Sequence, residues 1–208
     1  MRVDTVKYLG VTFTHKLSWS THISNTCAKA FKQLGFLRRK LSAAPPHVKL
    51  TAYNTLIRPI LEYGTIIWSP HQSYLSDQLE KIQNKALRFI YSCYSRHDSV
   101  SSLRAKARIP TLACWRRVAS MKFLFILYND RIRLDKNQYI KAPYHRSKRL
   151  NHEKCMRPIP TRCNTYKFSF FPLAIEEWNN LPHEFMNDVS LDIFLKNVES
   201  FFEKQNLQ

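Results

Sequence analysis

In STHISNTCAKAFKQLGFLRRKL, residues 20–41, the side chains of Ile23, Cys27, Ala30, Phe31, Leu34, Leu37 and Leu41 recur at three- and four-residue spacing. That is the period of one face of an α-helix. Ser18 or Ser20 can cap it, and Lys29, Lys32, Arg38, Arg39 and Lys40 lie off the apolar stripe, so the stretch predicts an amphipathic helix with a basic face. The break Ala43-Ala44-Pro45-Pro46 starts a second helix, with Val48, Tyr53, Leu56, Ile57, Ile60 and Leu61 as its buried stripe. Pro59 is expected to kink that helix or end it early, because it has no N–H to donate. A third helix opens at Ser73 or Ser76 and buries Leu75, Leu79, Ile82, Ala86, Phe89, Ile90 and Cys93, leaving Lys81, Lys85 and Arg88 on another face. Residues 100–107 predict a short helix, and Thr111 can cap a longer one through Leu127.

Upstream, Tyr8-Leu9-Gly10-Val11-Thr12-Phe13 reads as a short strand. Downstream, periodicity vanishes over residues 134–164, where Lys, Arg, His, Asn and Pro mark an exposed basic linker. Residues 166–171 are strand-like, residues 172–180 helical, and residues 190–204 form a last helix striped by Leu191, Phe194, Leu195, Val198, Phe201 and Phe202. The fold class expected is mainly α: a helical bundle after a short N-terminal β-hairpin or strand, with a small C-terminal strand plus helix extension. The corresponding divisions are residues 1–133, 134–164 and 165–208.

The 208 residues are 44% hydrophobic, enough to bury a core, and 33 Lys plus Arg outweigh 15 Asp plus Glu to give a net charge of +18. Such a charge is self-repelling without a polyanion, which makes nucleic acid the leading partner class. The charge is uneven: residues 1–175 sum to +23 and residues 176–208 to −5, and residues 7–59 contain no acid at all. Only Gly10, Gly35 and Gly64 occur, too few for the glycine loops that wrap nucleotide phosphates, so no nucleotide cofactor is expected. The five cysteines are dispersed and no secretory signal precedes them, which predicts reduced thiols in the cytoplasm or nucleus. The apolar run at residues 123–128 is too short to cross a membrane.

Chemistry is harder to find than charge. Two-metal polymerases and nucleases need clustered carboxylates, and no Asp-Asp pair is present; Asp188 and Asp192 favour the dipole at the start of the last helix instead. His145, His152, Cys155 and Cys163 are zinc-type ligands, but their spacing matches none of the paired forms, so no metal is assigned. There is no G-x-S-x-G and no cysteine with a supporting local signature. Tyr53, Tyr63, Trp68 and Trp115 could stack on bases but at helical spacing read as core, whereas the basic helix faces read as phosphate contacts.

Several blocks taken together resemble one family. Val6-Lys7-Tyr8-Leu9-Gly10-Val11, then Leu17-Ser18-Trp19-Ser20 with His22-Ile23, then Leu56-Ile57-Arg58-Pro59-Ile60-Leu61-Glu62-Tyr63-Gly64 with Ile67-Trp68-Ser69-Pro70, are similar to segments following the palm of non-LTR retrotransposon reverse transcriptases of the arthropod jockey-like or tick-transposon type. So are Leu79-Glu80-Lys81-Ile82-Gln83-Asn84-Lys85-Ala86-Leu87-Arg88-Phe89-Ile90 and, near the end, Phe168-Ser169-Phe170-Phe171-Pro172 with Trp178-Asn179 and Leu181-Pro182. The resemblance implies a thumb-like bundle and C-terminal extension that hold RNA, DNA or their hybrid. It assigns Tyr8, Leu9 and Gly10 to a primer-grip-like hairpin, and it makes Lys7, Lys29, Lys32, Arg38, Arg39, Lys40, Lys81, Lys85 and Arg88 candidate nucleic-acid ligands. The aspartate pair of such enzymes would precede residue 6, so the expectation is a truncated, catalytically incompetent remnant with no catalytic residues, cofactor or metal. Its protein partners are unknown. The alternative is a host-retained helical interaction protein whose acidic last helix docks on its own basic body or on a partner.

Overall fold

Leu9 and Gly10 both take positive φ, 43° and 83°, in a computed structural model that describes residues 4–95, 97–143, 152–187 and 190–205. Two such residues in a row make the tight turn whose twist suits a hairpin. It joins β1 (Thr5–Tyr8) to β2 (Val11–Thr14) in antiparallel register, with Tyr8 opposite Val11 and Thr5 opposite Thr14. Of the two N-terminal forms expected, hairpin or strand, the hairpin is formed, and residues 8–13, read as one short strand, contain its turn. β1 is exposed throughout, whereas Val11 of β2 is buried.

The remaining described elements are helical, as the mainly α class requires. The chain divides into two compact units, Met1–Ala113 and Cys114–Gln208. In the first, α1 (Ser20–Lys40) buries Ile23, Ala30, Leu34 and Leu37, while Phe31, expected in the stripe, is 46% exposed. Trp19 holds the N-cap position of α1 without a side-chain cap, while the Ser18 hydroxyl accepts the N–H of Ser20, the first residue of the helix, at 3.5 Å. Next, α2 (Pro46–Ala52) runs through a π-helical turn, Tyr53–Ile57, into α3 (Arg58–Glu62). Pro59 has no N–H for the carbonyl four residues back, and its ring would collide with it, so the backbone widens and Arg58 N–H donates to the Tyr53 carbonyl. The helical run continues past Pro59 as far as Glu62, but Val48 and Leu56, expected inside, are turned outward.

A short α4 (Thr65–Trp68) buries Trp68. Then α5 (Ser73–Tyr91) packs along α1 and buries Leu75, Leu79, Ile82, Ala86, Phe89 and Ile90 as its period predicts. Gln83, fully buried, accepts from the Tyr53 hydroxyl at 3.0 Å and donates to the Pro110 carbonyl at 2.8 Å. Burial pushes the Tyr53 phenol far above its ordinary range. After α6 (Val100–Ala107), Glu80 accepts the N–H of Ala113 at 2.9 Å, in the first turn of α7 (Leu112–Tyr128).

The second unit is built on α7, whose Cys114, Val118, Met121, Leu124 and Phe125 enter its core rather than that of residues 1–113. Its other α-helices among the described residues are α8 (Asn164–Lys167), α9 (Phe170–Asn179) and α10 (Leu191–Gln205). The strand expected at residues 166–171 is not formed: Ser169 is extended and α9 starts immediately after it, with Pro172 in its first turn where a missing N–H is harmless. Part of the expected linker is structural too. Trp178 donates its indole N–H to the Lys154 carbonyl, and the Asn179 amide both donates to the Met156 carbonyl and accepts from its N–H, at 2.7 and 2.8 Å. Thus Trp178-Asn179 clasps residues 154–156, and Leu181 is fully buried behind it. His145 lies outside the described residues.

α10 buries Phe194, Val198 and Phe202 in this core, and Leu191, Leu195 and Phe201 pack partly against it. Arg117 of α7 donates to Glu177 at 2.6 Å and to Gln205 at 3.0 Å, with its guanidinium 3.7 Å above the Phe202 ring. Burial raises the Glu177 pKa against the opposing pull of Arg117. Among the described residues, no helix is long and apolar enough to cross a membrane.

Candidate nucleic-acid interface

Within the first unit, the hairpin, α1 and α3 leave an open groove of about 650 Å³ between them. The hairpin contributes Lys7, Leu9, Gly10 and Thr12; α1 contributes His22, Asn25, Thr26 and Lys29; Pro59, Ile60 and Tyr63 close the third side. The four α1 residues are spaced i, i+3, i+4 and i+7, a polar ridge along one helix face. None of the described lining residues is acidic.

Tyr63, expected in the core, is instead 59% exposed and locks the hairpin from outside. Its hydroxyl donates to the Leu9 carbonyl at 3.0 Å, and its ring lies so close to Gly10 that a Cβ there would sit 3.2 Å from Cε1. Gly10 is thus fixed twice, by its positive φ and by the ring. Tyr53 and Trp68 are core as expected, and Trp115 is half-buried.

His22 forms part of the floor. It is only 5% exposed, its ring stands edge-on to Trp68 at 4.9 Å, and its Nδ1 accepts the Thr12 N–H at 3.2 Å. Burial lowers its pKa. In the second unit His152 is held comparably, with Nε2 2.9 Å from the Trp178 carbonyl. Its pKa is lowered chiefly by burial, with a smaller upward pull from that carbonyl and downward pushes from His183 and Lys154.

Both histidines therefore titrate in the unfolded chain, near 6.5, before they titrate in the folded one. Below that pH the unfolded state binds more protons, so stability is complete above it and declines as pH falls. The expected result is a lower denaturation midpoint at pH 5.5 than at pH 7, with each histidine contributing at most about 1.4 kcal/mol per pH unit. His22→Gln combined with His152→Gln should flatten that decline. An undiminished slope in the double variant would mean that other groups set it.

The structure sorts the nine basic candidates into three groups. Lys7 and Lys29 reach the groove. Lys32, Arg39, Lys40 and Lys81 are exposed on α1 and α5. The last three are engaged in packing: Arg38 donates to the Lys85 carbonyl, Lys85 lies 4.5 Å over the Phe31 ring, and Arg88 donates to the carbonyls of Cys93, Ser95 and Asp98. Arg88 thereby ties down the chain after α5 and is the least available to a ligand. Of the hairpin residues, Leu9 and Gly10 line the groove, whereas Tyr8 is 65% exposed on β1. The sequence reading missed Asn25, Thr26 and His22 as lining residues, although their helical spacing with Lys29 is visible once the hairpin is known to lie there. No cluster of three His, Cys, Asp or Glu side chains able to hold a metal occurs among the described residues.

Comparison with known proteins locates part of this chain. It is 30% identical over 90 residues, 42% of its length, to the probable RNA-directed DNA polymerase from transposon BS of Drosophila melanogaster. To the probable RNA-directed DNA polymerase from transposon X-element of the same fly it is 33% identical over 96 residues, 43% of its length. The chain spans 10% of the length of each of these curated relatives. No family model and no solved structure matches. The chain is thus related, over part of its length, to reverse transcriptases of transposons.

Proposed function

We propose that residues 1–113 are a nucleic-acid-binding module derived from a non-LTR retrotransposon reverse transcriptase, thumb-like in its helices, and that the 208 residues by themselves carry no polymerase chemistry. The observation that carries the reading is the groove: it gathers Lys7 and Lys29 without a single acidic neighbour on its described lining, beside the exposed bases of α1. The relation to RNA-directed DNA polymerases supports RNA, DNA or their hybrid as the polyanion. The absence of an Asp-Asp pair from the sequence supports the lack of chemistry.

Phosphate contacts release counterions, so affinity must fall with salt, and each contact removed should lower the slope of log affinity against log salt by about one. Lys32, Arg39 and Lys40 are exposed, so changing all three to Gln should leave the fold intact and lower the slope by about two to three. Binding to a short duplex and a hybrid, titrated from low to high salt, checks this. An unchanged slope would exclude the outer face of α1 from the interface.

A further inference from the structure

We propose that Ser42 is a phosphorylation site for a serine kinase that selects basic sequences, and that the phosphate placed there withdraws the end of α1 from nucleic acid. The site stands on its own observations, whereas its effect rests on the nucleic-acid reading above.

Ser42 has Arg39 and Lys40 at the third and second positions before it, with Arg38 one further back. Kinases that choose substrates by charge read such bases with carboxylates in the peptide groove, which an arginine fork can pair bidentately. Accessibility then decides which matching serine can be used. Ser42 is exposed, and so are Arg39 and Lys40. It sits in the turn that follows α1, closed by the Ala44 N–H donating to the Leu41 carbonyl at 3.1 Å, after which Pro45 and Pro46 open α2. The final turn of a helix opens at a small free energy, so residues 39–42 can extend into a kinase cleft while the rest of α1 stays packed. Ser120, with Arg117 three residues before it, carries a similar pattern in a different setting. It lies inside α7, its Arg117 is held by Glu177 and Gln205 over the Phe202 ring, and the adjacent Arg116 is buried. Reaching Ser120 would require α7 to unfold.

In the transfer, Ser42 Oγ bonds to the γ-phosphorus of a nucleoside triphosphate as the bond from that phosphorus to the β–γ bridging oxygen breaks. The nucleoside diphosphate leaves with the electron pair, and the hydroxyl proton passes to a carboxylate of the kinase. The product carries a charge of about −1.5 to −2 at neutral pH. It stands next in the chain to Arg38, Arg39 and Lys40, the bases of the last turn of α1, and offsets most of their charge. No acidic side chain occurs in residues 7–59, so phosphoserine would be the first negative charge in that stretch. Arg38, Arg39 and Lys40 are also candidate ligands of nucleic-acid phosphates. One covalent phosphate therefore competes with a strand for the same bases.

The test incubates the full, folded chain with the catalytic subunit of a cyclic-nucleotide-dependent serine kinase, ATP and Mg²⁺, and maps the product by mass spectrometry. A single phosphoryl group on Ser42 is expected, with none on Ser120. Ser42→Ala should abolish the transfer, and Arg39→Gln should slow it about tenfold by removing the base that the kinase reads. No transfer to Ser42, or equal transfer to Ser120, would overturn the site. The phosphorylated and unmodified chains are then titrated on a short duplex. Phosphorylation is expected to weaken binding about tenfold at low salt and to lower the salt slope by about one to two, with Ser42→Ala binding as the unmodified chain does. If Ser42 is fully phosphorylated and duplex affinity stays the same, the switch is refuted and the nucleic-acid reading survives. If neither form binds duplex or hybrid, the nucleic-acid reading fails and the switch falls with it, whereas the modification site stands.

Discussion

Phe194→Ala is expected to remove about 3–5 kcal/mol of stability from residues 114–208. The ring is fully buried, stacked on Phe125 at 4.5 Å and tilted against Trp178 at 5.6 Å, so its truncation opens a hole at the point where α7, α9 and α10 meet. Charge contributes on a smaller scale. Asp192 and Glu203 are exposed on the same helix, and changing both to their amides should cost below about 1 kcal/mol each, because surface charges are screened by water. Urea denaturation, read by amide exchange of α7 and α10, separates the two. A larger loss from the amide pair than from Phe194→Ala would mean that α10 is held by its charge and not by its apolar stripe.

Gln83→Leu is the corresponding change in residues 1–113. It keeps the approximate volume but strips a fully buried side chain of both its partners, leaving the Tyr53 hydroxyl without its acceptor and the Pro110 carbonyl without its donor. At about 1–3 kcal/mol for each of the two stranded groups, the expected loss is about 2–6 kcal/mol. The double variant Tyr53→Phe with Gln83→Leu should be less destabilised than the sum of its single changes, since it removes the stranded hydroxyl along with its acceptor. Additive losses would show that the hydroxyl–amide bond contributes nothing of its own.

The parts of this fold that could be read in advance are those that one period decides. In α5 every apolar position from Leu75 to Ile90 lies where a 3.6-residue repeat puts it, because a long helix against a core has no competing arrangement. Residues 166–171 misled for the opposite reason. Tyr and Phe suit strands, and a six-residue window holds too little periodicity to contradict them, while the extended Ser169 ahead of Pro172 already marks a helix start. The linker reading failed at His152, Cys155 and Met156 because what buries them is the clasp of Trp178 and Asn179, more than twenty residues away. The groove is non-local in the same way. Its basic members, Lys7 and Lys29, were visible as charge, but the hairpin, the first turns of α1 and the end of α3 come together only through tertiary packing. Nor does composition distinguish an Arg88 spent on three carbonyls from an Arg39 left in water.

The wide turn at Tyr53–Ile57 makes the spacing between two parts of the chain a quantity in its own right. A π turn closes its hydrogen bond five residues back where an α turn closes it four back, so it accommodates one more residue. Shortening this stretch by a single residue would let it close as an ordinary α turn with the residues after it on nearly the same face, whereas lengthening it by one more has no such outlet and would rotate everything after it by about 100°. With that longer stretch Pro59, Ile60 and Tyr63 would swing around the helix axis, and the ring that now rests on Gly10 would leave the hairpin unlatched. Every side chain of the groove would still be present, yet its third wall would face elsewhere. Here the count of residues between Pro46 and Tyr63 is as much a determinant of the surface as their identities.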